Sequence, residues 1–422
     1  MASSIKVDQW NDEKEKVLQT MKEKHKQNLE RAINYMGGKF NDPNTIVDAN
    51  NNKSFEYFKF TDYTLHYRLP KKYWNEVGLL VPENLSEEEL NDERPVHVFF
   101  VGGGFWTGDW KYHPWYLQAT LRQAEHYRAV ILAVNYPRFP LADIRDITQA
   151  VDDFWDYFYS NDCKTDIQKH RLGLKLDKNK TMISGESAGG YVAAYSVFRP
   201  HRELKVNALF LRYPMLRHYE RIDRDNQELA YMGETIQKPE VQEKANEMWQ
   251  LAQEIRKDMM NHRLLGLSDH GIFADILDRR IPPYGMCGAF TSSWCGTWIN
   301  YFGQGVDNTP LPDILTQMET ESKKQDGGPS LSRVPELFIY HGSQDTNIPA
   351  QVSRDFVAVW KKMFKKDAKL TIVEELRTKQ KDPEIVPHGF DYTLDENKEP
   401  LMKEYMEAIA KAWLRTGRLV KQ

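Results

Sequence analysis

Short apolar runs and helical patterns take turns along most of this chain, and that alternation limits the fold more than any other feature. Residues 95–101 read Pro-Val-His-Val-Phe-Phe-Val, a continuous run of the kind needed by a strand buried on both faces of a parallel sheet. Similar runs occupy 129–134, 181–184, 208–211, 336–340 and 370–373. Helical periodicity fills the spaces between them, at 113–127, 141–159, 188–198, 351–364 and 398–414. Strands and helices in regular alternation predict an α/β fold with a mostly parallel central sheet flanked by helices. Ahead of the first run, 55–60 and 63–69 alternate apolar and polar residues, which predicts an antiparallel hairpin turning at Thr61 and Asp62.

Two segments break the rhythm. In the first fifty residues Leu18, Met21, His25, Leu29, Ala32, Ile33 and Met36 share one helical face and Gly37-Gly38 ends it, the pattern of a helix that docks on its own protein. From 217 to 333 no strong strand pattern occurs. A long amphipathic helix carries Val241, Ala245, Met248, Trp249, Ala252, Ile255 and Met259, a shorter one spans 272–277, and an aromatic-rich loop spans 292–302. The linker Gln325-Asp326-Gly327-Gly328-Pro329-Ser330 closes the interval. The expected organisation is a core of 51–216 and 334–422, a helical cap segment at 1–50 and a helical lid inserted at 217–333, placed to exclude water from a pocket.

Composition narrows the class. A net charge of -4 with 28% charged and 41% hydrophobic residues is that of an ordinary globular chain, and no basic run long enough for nucleic acid is present. The three cysteines, Cys163, Cys287 and Cys295, share no spacing pattern, which argues against a disulfide framework and a zinc site. No stretch approaches the roughly 20 apolar residues of a membrane span, and the charged N-terminal segment is no secretory leader. The expectation is a cytoplasmic protein with no metal and no cofactor.

Chemistry concentrates at Gly185-Glu186-Ser187-Ala188-Gly189. This is the Gly-x-Ser-x-Gly pattern that sets a serine on a sharp strand-to-helix turn with its hydroxyl exposed. Such a serine needs a base, an acid that orients the base, and donors for an oxyanion, with the acid before the histidine in the chain. Asp345 follows the 336–340 run at the end of a strand, where open α/β sheets bind ligands. It also suits an N-cap for the segment near Pro349. His388, in Val386-Pro387-His388-Gly389-Phe390, lies after the last strand run and before the last helix. His341 competes for the role of base, but its place within the strand end favours a structural hydrogen bond. Gly102-Gly103-Gly104 directly follows the 95–101 run, so the amides of Gly103 and Gly104, with that of Ala188, can point at one oxygen. Each such donor is typically worth roughly 3 kcal/mol in a transition state. A phosphate-cradling loop is the other reading of the glycines, but no Lys-Ser/Thr pair follows them. Phe105 and Trp106 are candidate pocket walls; for Trp294 and Trp298 a wall and simple core packing are both open.

Taken together, these residues resemble the hormone-sensitive-lipase-like branch of the α/β-hydrolase fold, which includes arylacetamide deacetylases, plant carboxylesterases and many microbial esterases. A fungal group related to steryl acetyl hydrolases is also similar. Gly102 to Phe105 match the family's oxyanion motif, Gly185 to Gly190 its Gly-Asp-Ser-Ala-Gly-Gly, and Asp345 and His388-Gly389-Phe390 its acid and base positions. The resemblance implies hydrolysis of a small-molecule carboxylic ester, without cofactor, by Ser187, His388 and Asp345, beneath a cap built from the N-terminal helices and the insertion. Three positions depart from the pattern. Val101 stands where the family has a loop-stabilising histidine, Glu186 replaces the commoner aspartate, and 134–140 only partly matches Tyr-Arg-Leu-Ala-Pro, through Tyr136 and Pro140. A short or medium acyl group on a bulky apolar or aryl alcohol suits a lid rich in Trp and Met. The same machinery could serve an amidase, lactonase or formamidase, and a non-catalytic receptor on this fold would lack the base that His388 supplies.

Overall fold

The computed structural model describes residues 58–68, 74–139, 142–198, 204–218, 334–365, 368–373, 388–392 and 400–415, and, of the inserted interval, 225–231, 234–239, 292–302 and 312–323 with a few isolated positions. The N-terminal cap segment, the long amphipathic helix at 241–259 and the Gly-Pro linker lie outside the described residues.

The strands are β1 (Phe60–Arg68), β2 (Trp74–Pro82), β3 (Glu93–Phe100), β4 (Val130–Val134), β5 (Lys175–Glu186), β6 (Ala208–Arg212), β7 (Glu228–Tyr231), β8 (Glu234–Gln237), β9 (Glu336–Gly342) and β10 (Ala368–Val373). The helices are α1 (Glu87–Asn91), α2 (Gln118–His126), α3 (Ile144–Tyr159), α4 (Asn161–His170), α5 (Ala188–Phe198), α6 (Ile314–Ser322), α7 (Gln351–Phe364) and α8 (Pro400–Trp413). Eight strands form one sheet in the order β1-β2-β4-β3-β5-β6-β9-β10. The first two pairings are antiparallel and the rest parallel. The mostly parallel sheet is the one the apolar runs predict, since β4 and β6 are buried at every position.

Helices cover both faces. Ile147 and Phe154 of α3, Ile167 of α4, Val192 of α5 and Phe356 of α7 pack into one apolar core. Leu121 of α2 with Met402, Tyr405, Ile409 and Trp413 of α8 form the other. Helix α5 lies under the elbow and is apolar nearly all round, the pattern of a buried helix. Local signals set the boundaries: Asp143 begins α3 with a capping box to Asp146, and Asp313 caps α6 through the Thr316 amide.

The expected hairpin at Thr61-Asp62 does not form there. Both residues lie inside β1, whose antiparallel partner is β2, in the register Thr61↔Val81 and Asp62↔Leu80. Inward Leu65 and Tyr67 alternate with wetter neighbours along β1, so the period-two pattern runs through the supposed turn. The inserted interval also holds strand structure, a two-stranded antiparallel hairpin of β7 and β8, which four-residue strands made of mixed residues do not announce.

Gly189 shows how tightly α5 is seated. A Cβ there would lie 2.1 Å from the Phe100 carbonyl oxygen of β3, and a backbone atom in the middle of a sheet has little room to move. Gly189→Ala is expected to cost at least about 1–3 kcal/mol, the usual range for overpacking a core. A lowered denaturant midpoint with unchanged m-value checks it.

Candidate active site

The site stands at the carboxyl ends of β3, β5, β6 and β9, where loops leave the sheet. Ser187 sits between the last residue of β5 and the first of α5, with φ 51°. A non-glycine residue in the left-handed region costs of order 1–3 kcal/mol and persists only where its surroundings fix it. Here they do so on both sides. The Ser187 amide donates to the Arg212 carbonyl at 3.0 Å, and its carbonyl accepts from the amides of Met215 at 2.9 Å and Gly190 at 3.0 Å.

The glycine loop is a tight turn. Gly103 and Gly104 have φ of 102° and 59°, and the Gly103 carbonyl accepts from the amides of both Trp106 and Thr107 at 3.0 Å. A Cβ on Gly104 would meet the side chain of Ala289 at 2.5 Å, so the inserted interval rests directly on this loop. Among the described residues the amides of Gly103 and Gly104 form no hydrogen bond, and Ala188, first in its helix, has no intrahelical acceptor.

Residues that follow β4 brace the glycine loop. Tyr136 Oη donates to the Val101 carbonyl at 2.6 Å, Arg138 Nη2 to the Gly108 carbonyl at 3.1 Å, and the Phe139 amide to the Phe105 carbonyl at 2.8 Å. Residues 136–139 are thus the loop's support. Glu186 Oε1 accepts from the Gly102 amide at 3.3 Å, tying the glycine loop to the elbow.

Asp345 divides its two oxygens between two tasks. Oδ1 accepts from the amides of Asn347 and Ile348, each at 2.9 Å, a local turn of the kind aspartate favours. Oδ2 lies 2.7 Å from His388 Nδ1 and 3.2 Å from His341 Nε2. Burial alone would raise the Asp345 pKa, but the two histidines outweigh it and hold the carboxyl well below its ordinary range. His341 is fully buried, with Nδ1 2.8 Å from Ser353 Oγ and Nε2 2.8 Å from the Ile348 carbonyl. Since a carbonyl only accepts, Nε2 carries the proton, and the ring is a structural strut as the strand position predicts.

The predicted residues meet unequally. Asp345 and His388 are hydrogen-bonded. Among the described residues no hydrogen bond joins Ser187 Oγ to the His388 ring; contacts of this type are commonly looser without substrate. Tyr213 is what spans the two, with its ring 4.6 Å from that of His388 and its chain one residue beyond the carbonyl that holds the Ser187 amide. Phe105, Trp106 and Trp298 share one aromatic cluster. Phe105 lies 6.2 Å from Trp298, and Phe139 joins all three at 5.4, 6.5 and 5.6 Å respectively. Trp294 is buried and donates to the Asn226 carbonyl at 3.0 Å.

A second serine–histidine pair needs separating from the first. His97 Nε2 lies 2.6 Å from Ser184 Oγ, but both residues are buried in the sheet at 2% exposure. Burial, followed by the charge of Arg212, pushes the His97 pKa down to about 3. Among the described residues no carboxylate is hydrogen-bonded to it, and the pair, buried within the sheet, is a core contact.

Sequence reading missed the charged cluster beneath the elbow, where Arg212 meets Glu186 and Asp391 with almost no exposure. The available signal was an arginine ending the apolar run 208–211, since a buried cation demands a carboxylate. Among the described residues no group of three or more His, Cys, Asp or Glu could hold a metal, and no helix is long and apolar enough to cross a membrane.

Residues 97–281 match a family described as having the alpha/beta hydrolase fold. The chain is 28% identical over 164 residues to Probable carboxylesterase M8 of Phoma sp., a match covering 39% of this chain and 47% of that protein; it thus spans about half the length of this relative. Among solved structures it is similar to carboxyl esterase 2 of Tuber melanosporum, at 15% identity and a TM-score of 0.45 over 84% of this chain and 89% of that one. It is also similar to the native esterase 2 of Thermogutta terrifontis, at 16% identity and a TM-score of 0.42 over 86% and 94%.

Proposed function

We propose, from the premise that this chain has the α/β-hydrolase fold, that it is a serine hydrolase of carboxylic esters. The observation that carries this reading is the 2.7 Å contact between Asp345 Oδ2 and His388 Nδ1, made by a carboxylate whose other oxygen is already fixed by two amides. That contact keeps the proton on Nδ1 and leaves Nε2 as a base. Ser187 attacks the ester carbonyl as Nε2 takes its proton, and Asp345 stabilises the imidazolium. The amides of Gly103, Gly104 and Ala188 receive the oxyanion. The alcohol leaves with the proton, and water repeats the sequence on the acyl-enzyme. No metal or cofactor takes part.

The substrate is a small ester with a short or medium acyl group and a bulky apolar or aryl alcohol. Phe105, Trp106, Trp298 and the cap support this, since the cap rests on Gly104 through Ala289. Residues 1–50 and 217–333 form that cap over a core of 51–216 and 334–422. Free thiols at Cys163 and Cys295 suit the reducing cytoplasm. A relative named a carboxylesterase supports the reaction class.

The test is a series of p-nitrophenyl esters of graded chain length beside the matching anilides. Expected is turnover that is highest for acetate to hexanoate, with esters exceeding anilides in kcat/KM. Preference for anilides would replace this reading with an amidase, and activity confined to long acyl chains would overturn the substrate class.

A further inference from the structure

Arg212 closes β6 between two neighbours, in register with Glu186 of β5 and Tyr340 of β9. Its side chain is 2% exposed, and the carboxylates it meets, those of Glu186 and Asp391, are fully buried. Nη2 contacts Glu186 and also donates to the Trp115 carbonyl at 3.3 Å, while Nη1 lies 2.7 Å from Asp391 Oδ2. One guanidinium faces two buried carboxyl groups in this interior cluster, whose oxygens need neutral donors too. The Gly102 amide donates to Glu186, the Tyr213 hydroxyl donates to Asp391 Oδ1 at 2.7 Å, and the Tyr340 hydroxyl donates to Oδ2. Burial disfavours the guanidinium charge, but Asp391 together with Tyr213, Tyr340 and Tyr392 more than offsets it and raises the Arg212 pKa.

Stability alone does not account for such an arrangement. Buried ion clusters are often no more stabilising than apolar residues of the same shape. What this cluster does is join loops. Glu186 is the residue before Ser187 and holds the glycine loop through Gly102. The Arg212 carbonyl holds the Ser187 amide. Asp391 shares one turn with His388. Tyr213, pinned by its hydroxyl to Asp391, sets its ring edge-on to the His388 ring, with centroids 4.6 Å apart and planes at 62°. It does so at φ 34°, a strained backbone that its neighbours must hold in place. Nucleophile, base and glycine loop are therefore all connected to one guanidinium.

We propose that Arg212, Asp391 and Tyr213 are positioning residues, and that the Glu186–Arg212–Asp391 cluster, acting through Tyr213, sets the His388 ring at its working distance from Ser187. The inference rests on the hydrolase reading above, and the experiment separates the two. Tyr213→Phe removes one oxygen and keeps the ring; Asp391→Asn keeps the shape and removes the charge. Three quantities are measured for each and for wild type: kcat and KM on a p-nitrophenyl ester, stoichiometric p-nitrophenol release from a p-nitrophenyl phosphonate, and thermal unfolding. The phosphonate needs the nucleophile and base but no matched acyl pocket.

Misplacing a catalytic group by about 1 Å can cost about 10²-fold, so kcat is expected to fall about tenfold in Tyr213→Phe and about 10²-fold in Asp391→Asn, with KM within about twofold. Phosphonylation should slow in proportion. Folded variants that keep wild-type kcat and phosphonylation rates, whatever their melting temperature, reduce the cluster to a structural contact and overturn the proposal. A loss confined to KM does the same. If Asp391→Asn does not fold, Tyr213→Phe decides alone. Wild type that reacts with neither ester nor phosphonate overturns the hydrolase reading and this inference together. Wild type that reacts with both while Tyr213→Phe matches it overturns only the inference.

Discussion

Replacing Ser187 with alanine is expected to lower kcat on a p-nitrophenyl ester by about 10⁶-fold, the loss seen when a triad nucleophile is removed. The residue should disappear from catalysis without disturbing the fold. Its backbone, not its hydroxyl, carries the anchors to Arg212, Met215 and Gly190, and alanine tolerates φ 51° no worse than serine. Ser187 is buried, but no described hydrogen bond depends on its hydroxyl, so the melting curve should move far less than turnover. Ser184→Ala is the informative contrast. Ser184 has a histidine closer to its hydroxyl than any described contact of Ser187, at 2.6 Å, and proximity alone would nominate it. It lies inside the sheet, however, and its loss should cost stability by leaving buried His97 without a partner, at about 1–3 kcal/mol, while turnover persists. Turnover surviving in Ser187→Ala and vanishing in folded Ser184→Ala would reverse the assignment.

That contrast shows what the sequence could and could not reveal. Runs such as 208–211 and 181–184 predict central strands because a strand covered on both faces needs apolar residues at every position, and those strands form where expected. The elbow and glycine loop were legible because each needs glycine at fixed offsets for steric reasons a sequence displays directly, as the clash at Gly189 shows. β1 was misread because a period-two pattern does not mark its own ends, and β2 escaped notice because Trp74–Pro82 mixes polar and apolar residues. The Arg212 cluster is a different case. Its members come from β5, β6 and the turn after β10, and only the strand order places them side by side. An arginine ending an apolar run signals that some carboxylate must meet it, not which one. The two roles of Asp345 were legible only in part, since the helix near Pro349 has Ala350 as its N-cap with no side-chain cap, and Asp345 closes a turn at Asn347 and Ile348 instead. That they use separate oxygens is a matter of geometry.

Those separate oxygens make Asp345→Asn the sharper test of the base. Asparagine has one acceptor oxygen and one donor nitrogen where aspartate has two acceptors. The amides of Asn347 and Ile348 both point at Oδ1 and require an acceptor there. The asparagine oxygen must therefore take that position, and its NH₂ group must occupy the site of Oδ2, facing His388 Nδ1. Two donors cannot share that contact, so the imidazole shifts its proton to Nε2 and accepts through Nδ1. The nitrogen that should receive the Ser187 proton then already carries one. A comparable tautomer reversal lowers kcat by about 10⁴-fold with geometry intact, and that is the expected loss here, with KM little changed. His341 does not rescue the side chain by turning it over. Its Nε2–H already has the Ile348 carbonyl at 2.8 Å and loses only its longer contact to Oδ2. The turn at Asn347 and Ile348 keeps its acceptor, so unfolding should shift far less than activity. Retention of kcat to within about tenfold, against the 10⁴-fold loss that a reversed tautomer brings, would show that the proton on His388 is set by something other than Asp345.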